Sequence, residues 1–422
     1  MKNPNELRNM VLYQVFVRQY GMNHNFIDVK NDLPRIKEMG VDILYLMPIF
    51  TIGEKNRKGS FGSPYAIYDY NQIDPFLGGE EMLKDLIKAT HEIGMKIIVD
   101  LALNHTSCDA TLLQENEDYY YHKDGEVFRK CQDWSDVYDL DYNNKELHNI
   151  IINKVCNLLK LGFDGFRMDV CSLIPMDFWH ELHKELVKIN DDVIMIGESV
   201  HPEFRDYILK LGVEAPSDGE LYEVFDCLYQ YDIDASMKNM KDSRLKKIGD
   251  YLKDVEHQQI LFSKPKLRYL ENHDTERIAS YNIPKLHSLH ALNHFLPGLP
   301  FIYNGEEYGI KHRPDLFELD RIKFEEKRED YFTLYKKLYP IKKMDYFKIN
   351  DFKVISYDNN VIILRYKGKK KNLYGIFNFG NDKILYLDYL NEGDMVNLIN
   401  KKPFTIGQDR RVVVKDILIF EN

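Results

Sequence analysis

Apolar positions in this chain fall in short unbroken runs, separated by longer stretches in which apolar residues recur at helical spacing. The first runs are Val11–Val17, Val41–Pro48 and Met95–Asp100. Near-continuous branched apolar residues over such lengths predict strands buried on both faces. Between them, Val29–Met39, closed by Gly40, and Glu80–Ile93, closed by Gly94, carry the period of amphipathic helices. The alternation resumes with a helix at Lys145–Lys160, a strand at Gly165–Val170, a helix at Asp177–Ile189 and a strand at Val193–Gly197. Further strands are predicted at Glu223–Asp226, Leu267–Leu270 and Pro300–Tyr303, with a helix over His287–Phe295. Buried strands alternating with helices imply an α/β protein with a parallel sheet covered on its faces. About eight such units fit a (β/α)8 barrel. A doubly wound open sheet is the alternative on pattern alone.

Two segments break the rhythm. Residues 104–144 are irregular, polar and aromatic, long for a connection between a strand and a helix, and such loops are usually functional. From about Tyr346 the texture becomes all-β. Phe352–Tyr357, Val361–Tyr366 and Leu373–Phe379 read as strands joined by turns at Asp358-Asn359-Asn360 and Lys367–Lys370. The expected organisation is a barrel over 1–103 and 145–345, an inserted loop domain over 104–144, and a C-terminal antiparallel β-sandwich over 346–422.

Composition narrows the function classes. The 422 residues carry a net charge of -10. An acidic surface argues against nucleic acid or an anionic membrane as partner. No apolar leader follows the polar start, and no run is long enough to span a bilayer, so a cytoplasmic protein is expected. Five widely spaced cysteines without a C-x-x-C pair read as reduced thiols.

Catalytic groups of a barrel gather at the C-terminal ends of its strands. Strand 3 ends in Asp100, with Asn104-His105 beyond it; strand 4 carries Arg167 and Asp169; strand 5 leads into Glu198; strand 7 leads into Glu271-Asn272-His273-Asp274. Like charges converging on one mouth repel, so this gathering points to a site rather than to surface decoration. No H-E-x-x-H or EF-hand pattern accompanies it. Paired carboxylates suit glycoside cleavage, which needs one carboxyl protonated and one ionised. Arg167 shares a strand face with Asp169 and is expected to keep it ionised. Glu198, at the end of an apolar strand, is the candidate for the raised pKa.

The stretches Asp100–His105, Gly165–Asp169, Gly197-Glu198 and Glu271–Asp274 resemble, in order and spacing, the four motif regions of the alpha-amylase family. Pro297–Glu307 is similar to the family's eighth-strand segment, and Ser63–Tyr70 to its second-strand loop. The resemblance implies a (β/α)8 barrel and a retaining mechanism. It makes Asp169 the nucleophile, Glu198 the general acid/base, and Asp274 the third carboxylate that stabilises the transition state. Arg167 would hold Asp169, and Asp100 would support Arg167. His105 and His273 would hydrogen-bond the sugar, and Tyr65 would stack under it.

The chain also departs from the family. Many amylases carry a Lys-His pair after the nucleophile that serves substrate and calcium; here Val170-Cys171-Ser172-Leu173 stands in its place. Asn104 is left as the one candidate calcium ligand, and no metal or other cofactor is expected. Three residues before Tyr65, where many exo-acting glucosidases have Asp, this chain has Gly62. The expected activity is hydrolysis of α-glucosidic bonds, α-1,4 foremost, in maltodextrins or related α-glucans. The alternatives are a transglycosylase of the 4-α-glucanotransferase type, a phosphorylase, and an inactive carbohydrate-binding homologue. Three convergent carboxylates argue against the last.

Overall fold

The computed structural model describes residues 1–326, 328–358 and 360–422. Eight parallel strands close into a barrel, in chain order around the ring: β1 (Leu12–Val15), β2 (Ile43–Leu46), β3 (Lys96–Leu101), β4 (Gly165–Met168), β5 (Ile194–Gly197), β6 (Cys227–Tyr229), β7 (Lys266–Arg268) and β8 (Leu299–Tyr303). Every residue of β1, β2, β4 and β5 is buried. This is the burial that unbroken apolar runs require, because barrel interior and helical shell cover both faces.

The shell is made by α1 (Phe26–Met39), α2 (Gly79–Glu92), α3 (Lys145–Leu161), α4 (Met176–Ile189), α5 (Pro202–Lys210), α6 (Ile248–Leu261), α7 (Leu286–Phe295) and α8 (Glu329–Lys342). In α1 the buried residues Phe26, Val29, Leu33, Ile36 and Met39 recur every three or four positions, a single stripe facing the sheet. Asn25 caps its start by accepting the Ile27 N–H at 3.1 Å.

Three differences from the pattern have local causes. The first strand ends at Val15 because Val17–Tyr20 turns into a short helix. The sixth strand lies at Cys227–Tyr229 rather than Glu223–Asp226. There, a helical turn over Asp218–Leu221, closed by a Ser217/Glu220 capping box, runs on until the Phe225 N–H meets the Leu221 carbonyl at 2.9 Å. The pattern assigns no helix over α8, whose apolar stripe is interrupted by Pro340.

In the insertion after β3, His105–Ser107 pairs antiparallel with Val137–Asp139. A short helix (Thr111–Glu115) and a small ribbon (His122–Lys123 with Glu126–Val127) fill the space between. The tail holds β9 (Phe352–Tyr357), β10 (Val361–Tyr366), β11 (Leu373–Asn378) and β12 (Ile417–Glu421) in one antiparallel sheet. Its alternate residues serve two cores. Ile362, Leu364, Tyr366 and Phe377 join the barrel core, where Phe295 of α7 meets Tyr366 at 5.4 Å and Phe377 at 5.6 Å between ring centres. Val361, Ile363, Tyr374 and Ile376 face two ribbons, Lys383–Tyr386 with Arg411–Val414 and Gly393–Val396 with Pro403–Ile406. The result is a two-layer β-sandwich seated on the barrel. Of the turns predicted here, the one over Asp358-Asn359-Asn360 includes Asn359, which lies outside the described residues.

Candidate active site

At the C-terminal mouth of the barrel, Arg167 is the centre of the arrangement. Register places it directly opposite Asp100 of β3. Its Nη1 donates to Asp100 Oδ1 and to Asp169 Oδ1, both at 2.7 Å, and its Nη2 forms an ion pair with Glu198 Oε1 at 2.7 Å. The guanidinium side chain is 1% exposed. One buried cation therefore faces three buried carboxyl groups, and such charges persist in an interior only when paired and hydrogen-bonded. Asp100 is fully satisfied: Tyr45 and Tyr65 donate their hydroxyls to Oδ2 at 2.5 and 2.9 Å.

The turn after Asp169 is strained. Val170 has φ 36° and ψ 45°, a left-handed conformation that a β-branched residue rarely adopts. This turn aims the Val170 N–H at Glu198 Oε2, 3.1 Å away, and carries the chain into Cys171, whose N–H meets the Glu198 carbonyl at 2.9 Å. Gly197 is required just before Glu198, since a Cβ there would lie 2.7 Å from Leu228 and 2.8 Å from the Cys171 sulfur. Strain and close packing together fix the distance between the two carboxyls.

Protonation runs against the sequence expectation. Burial pushes Asp169 well above the usual carboxylate range; Arg167 opposes this, while the charges of Glu198 and Asp100 add to it. Burial also acts to raise Glu198, but Arg167, His273, the Val170 N–H and contact with Asp169 outweigh it and hold its pKa below the ordinary value. Buried on one cation, the two carboxyls titrate as a coupled pair, and their surroundings favour the proton on Asp169 over Glu198. Donor count differs in the same direction: Glu198 also accepts the Tyr231 hydroxyl at 3.2 Å, whereas among the described residues Asp169 has only Arg167 as a hydrogen-bond donor.

Hydrogen bonds orient two histidines as donors toward the mouth. Gln14 Nε2 lies 3.2 Å from His273 Nδ1, and the Tyr65 oxygen lies 2.8 Å from His273 Nε2. Because Tyr65 gives its own proton to Asp100, His273 carries its hydrogen on Nε2, pointing into the mouth. His273 Nε2 is also 3.1 Å from Asp274 Oδ2. Asn104 Nδ2 donates to Asp139 at 2.8 Å and lies 3.2 Å from His105 Nδ1, which likewise leaves the hydrogen of His105 on Nε2. Burial pushes the His105 pKa down, keeping the ring neutral. Tyr65 stacks on His273 with ring centres 5.4 Å apart and rings 20° from parallel. Asp274 differs from the other carboxylates in being 47% exposed.

These groups line a cavity of about 470 Å³, with Tyr65, His105, Asp169, Glu198, His273 and Asp274 all on its wall. Asp100 and Arg167 stand behind it. The far wall comes from residues that pattern reading did not single out. Trp134 of the insertion packs on His105 at 5.3 Å between ring centres. Lys58, after β2, reaches Asp136 of the insertion at 3.1 Å and sits 5.7 Å over the Phe317 ring. Gln14, Tyr45 and Tyr231 were missed for a different reason: each is one polar or aromatic residue in or beside an apolar strand, with no partner nearby in sequence.

The Asn104 position does not fit a metal ion. Its amide nitrogen is committed to Asp139 and His105, and its oxygen faces the ammonium of the buried Lys130 at 3.4 Å. Among the described residues no three His, Cys, Asp or Glu side chains gather as metal ligands. Nor, among them, is any helix long and apolar enough to cross a membrane.

A family model described as the alpha-amylase catalytic domain matches residues 25–345. Among solved structures, an alpha-amylase from Lactobacillus plantarum is 33% identical, with 99% of this chain and all of that one superposed at a TM-score of 0.92. A maltogenic alpha-amylase from Thermotoga neapolitana is 27% identical, covers 99% of both chains and has a TM-score of 0.86. Alpha-amylase 3 of Dictyoglomus thermophilum is 26% identical over 372 residues, 78% of this chain and 70% of that protein.

Proposed function

The chain belongs to the alpha-amylase family, and within it we propose a retaining glycosidase that cleaves α-1,4 bonds of maltodextrins. The observation that carries this reading is the pair Asp169 and Glu198, clamped on one buried guanidinium at the wall of one cavity. One proton on two carboxyls is the count that the reaction uses. A sugar ring seated on Tyr65 enters between the two groups and breaks their contact. Asp169, left with Arg167, is then the ionised member. Glu198 takes the proton and faces the glycosidic oxygen.

Glu198 delivers that proton to the leaving oxygen as the glycosidic bond breaks. A carboxylate oxygen of Asp169 bonds to the anomeric carbon, giving a β-linked glycosyl-enzyme. Charge that develops on the ring faces Asp274, while the Nε2 hydrogens of His105 and His273 bind sugar hydroxyls. Glu198, now ionised, removes a proton from water, the water oxygen bonds to the anomeric carbon, and Asp169 departs. No step runs through a metal.

We assign 1–103 and 145–345 to the catalytic barrel, 104–144 to the inserted segment and 346–422 to the C-terminal β layers. The five unpaired cysteines support placing the protein in the reducing cytoplasm.

A time course on maltoheptaose, with products resolved by chain length, tests the reading. Shorter products only are expected. Products longer than the substrate would replace hydrolysis by transfer to a second sugar. Asp169→Asn should abolish turnover and keep affinity for maltotriose. A wild-type protein that binds sugar and never cleaves it would overturn the reading.

A further inference from the structure

We propose that Tyr231 is a positioning residue for Glu198, clamped by His201; the assignment rests on Glu198 being the acid of the reaction above. Tyr231 follows β6 and does not line the cavity. Its hydroxyl donates to Glu198 Oε1 at 3.2 Å and accepts from Asn272 Nδ2 at 3.4 Å. The Asn272 contact takes the oxygen's acceptor side, so the phenolic proton is directed at the acid. The His201 ring lies on the Tyr231 ring, 4.3 Å between centres and 20° from parallel. His201 is itself tied by Nε2 to Asp234 Oδ2 at 3.1 Å. His201 follows β5, Tyr231 and Asp234 follow β6, and Asn272 follows β7. Three loops thus converge on one side chain, and that side chain points at one oxygen.

Glu198 has two oxygens and two directed donors: the Val170 N–H on Oε2 and Tyr231 on Oε1. The Arg167 ion pair at Oε1 lacks the alignment of a hydrogen bond. Without Tyr231, Oε1 keeps the Arg167 ion pair but no aligned hydrogen-bond donor, and the carboxyl is less tightly oriented. The other charged and titratable groups around it include Arg167 and Asp169 of the β4 segment, Cys171 beyond them, His201 after β5, Tyr229 of β6, and Tyr269, His273 and Asp274 after β7. Tyr231→Phe alters none of these. A donor to a carboxylate stabilises its ionised form. Removing it therefore raises the pKa of Glu198, and the alkaline limb of the rate profile, where the acid loses its proton, moves up.

Tyr231→Phe keeps the ring, the His201 stack and the fold. Its kcat on maltotriose should fall about tenfold, the order of one hydrogen bond to a charged group. The alkaline limb should rise by about one pH unit, the equivalent of that tenfold. An aryl maltoside with a strongly acidic phenol as leaving group needs little protonation, and its kcat should change by less than about threefold. His201→Gln, which removes the clamp and leaves the hydroxyl, should move the limb in the same direction by less. Equal losses on both substrates, or an unmoved limb in Tyr231→Phe, would overturn the proposal. A wild-type enzyme inactive on both substrates would instead overturn the functional reading on which it rests.

Discussion

Replacing Asp100 with Asn tests the electrostatic frame of the site without touching a group on the cavity wall. Asp100 is 0% exposed, and the amide has the same shape, so packing is retained. What changes is charge and donor count. Arg167 Nη1 loses one of its two 2.7 Å partners, and two tyrosine hydroxyls that donate to Oδ2 meet a group that cannot accept from both while also serving Arg167. Unit charges about 4 Å apart attract by ~4 kcal/mol at an effective dielectric near 20. Breaking a buried pair by removing one partner costs about 3–5 kcal/mol. Asp169 and Glu198 still pair with Arg167, which places Asp100→Asn at the low end, ~3 kcal/mol. Unfolding 422 residues releases ~0.9 kcal/mol per degree of entropy. The expected fall in Tm is therefore ~3 °C, read by calorimetry at neutral pH.

The same substitution has a kinetic signature. The negative charge of Asp100 raises the Asp169 pKa, and Asp100 also draws Arg167 away from the catalytic pair. Both effects help the pair retain its proton. In Asp100→Asn the pair gives up that proton at lower pH, so the alkaline limb of kcat moves down, opposite to the shift expected for Tyr231→Phe. A variant with unchanged Tm and an unmoved limb would refute the picture of Arg167 as the shared counter-ion.

Two further substitutions separate catalysis from stability. Asp274→Asn alters a half-exposed side chain, so urea unfolding should shift by less than about 0.5 kcal/mol, while kcat on maltotriose falls about 10²–10³-fold. A comparable loss of stability would mean that Asp274 is a structural group. Glu306, not on the cavity wall, is pushed by burial up to about 8, and accepts the Tyr335 hydroxyl at 3.0 Å. Its folded pKa lies above the unfolded value near 4.5, so its contribution is fully present below that pH and is lost as pH rises through about 8. Wild-type stability should fall between pH 5 and 8, by an amount on the order of 3 kcal/mol from this group. Glu306→Gln should flatten that slope in denaturant titrations, and parallel slopes would count against a protonated Glu306.

Much of the frame was legible because barrel strands write themselves as short apolar runs. Asp100, Arg167, Asp169, Glu198, His273 and Asp274 each sit in or just beyond such a run, and the structure brings all of them to one mouth. The sixth strand was misplaced because Cys227–Tyr229 has only three residues and follows a helical turn of similar apolar content. The tail strands Lys383–Tyr386, Gly393–Val396, Pro403–Ile406 and Arg411–Val414 went unassigned, being short and half-exposed with broken alternation. The sheet strands β9, β10 and β11 announce themselves, the last two buried on both faces.

Chemistry was harder to place than fold because protonation depends on donors that come from distant segments. Two residues of separation on β4 suffice to pair Arg167 with Asp169, and from that pairing alone an ionised Asp169 follows. But the guanidinium has a second nitrogen, and it reaches Glu198, a residue of the next strand. The left-handed turn at Val170 adds an N–H to Glu198, and Tyr231 adds a hydroxyl. No spacing in the chain encodes these three contacts, yet together they reverse the expected order of the two acids. Before substrate arrives, the site therefore favours the proton on Asp169, the member that must be ionised to attack. The assignment of acid and nucleophile falls to the substrate, whose ring must separate Asp169 from Glu198 before either can act. A maltotriose complex of Glu198→Gln should accordingly show Asp169 still on Arg167 Nη1, with the sugar lying between it and residue 198; a ring bound outside that gap would break the argument.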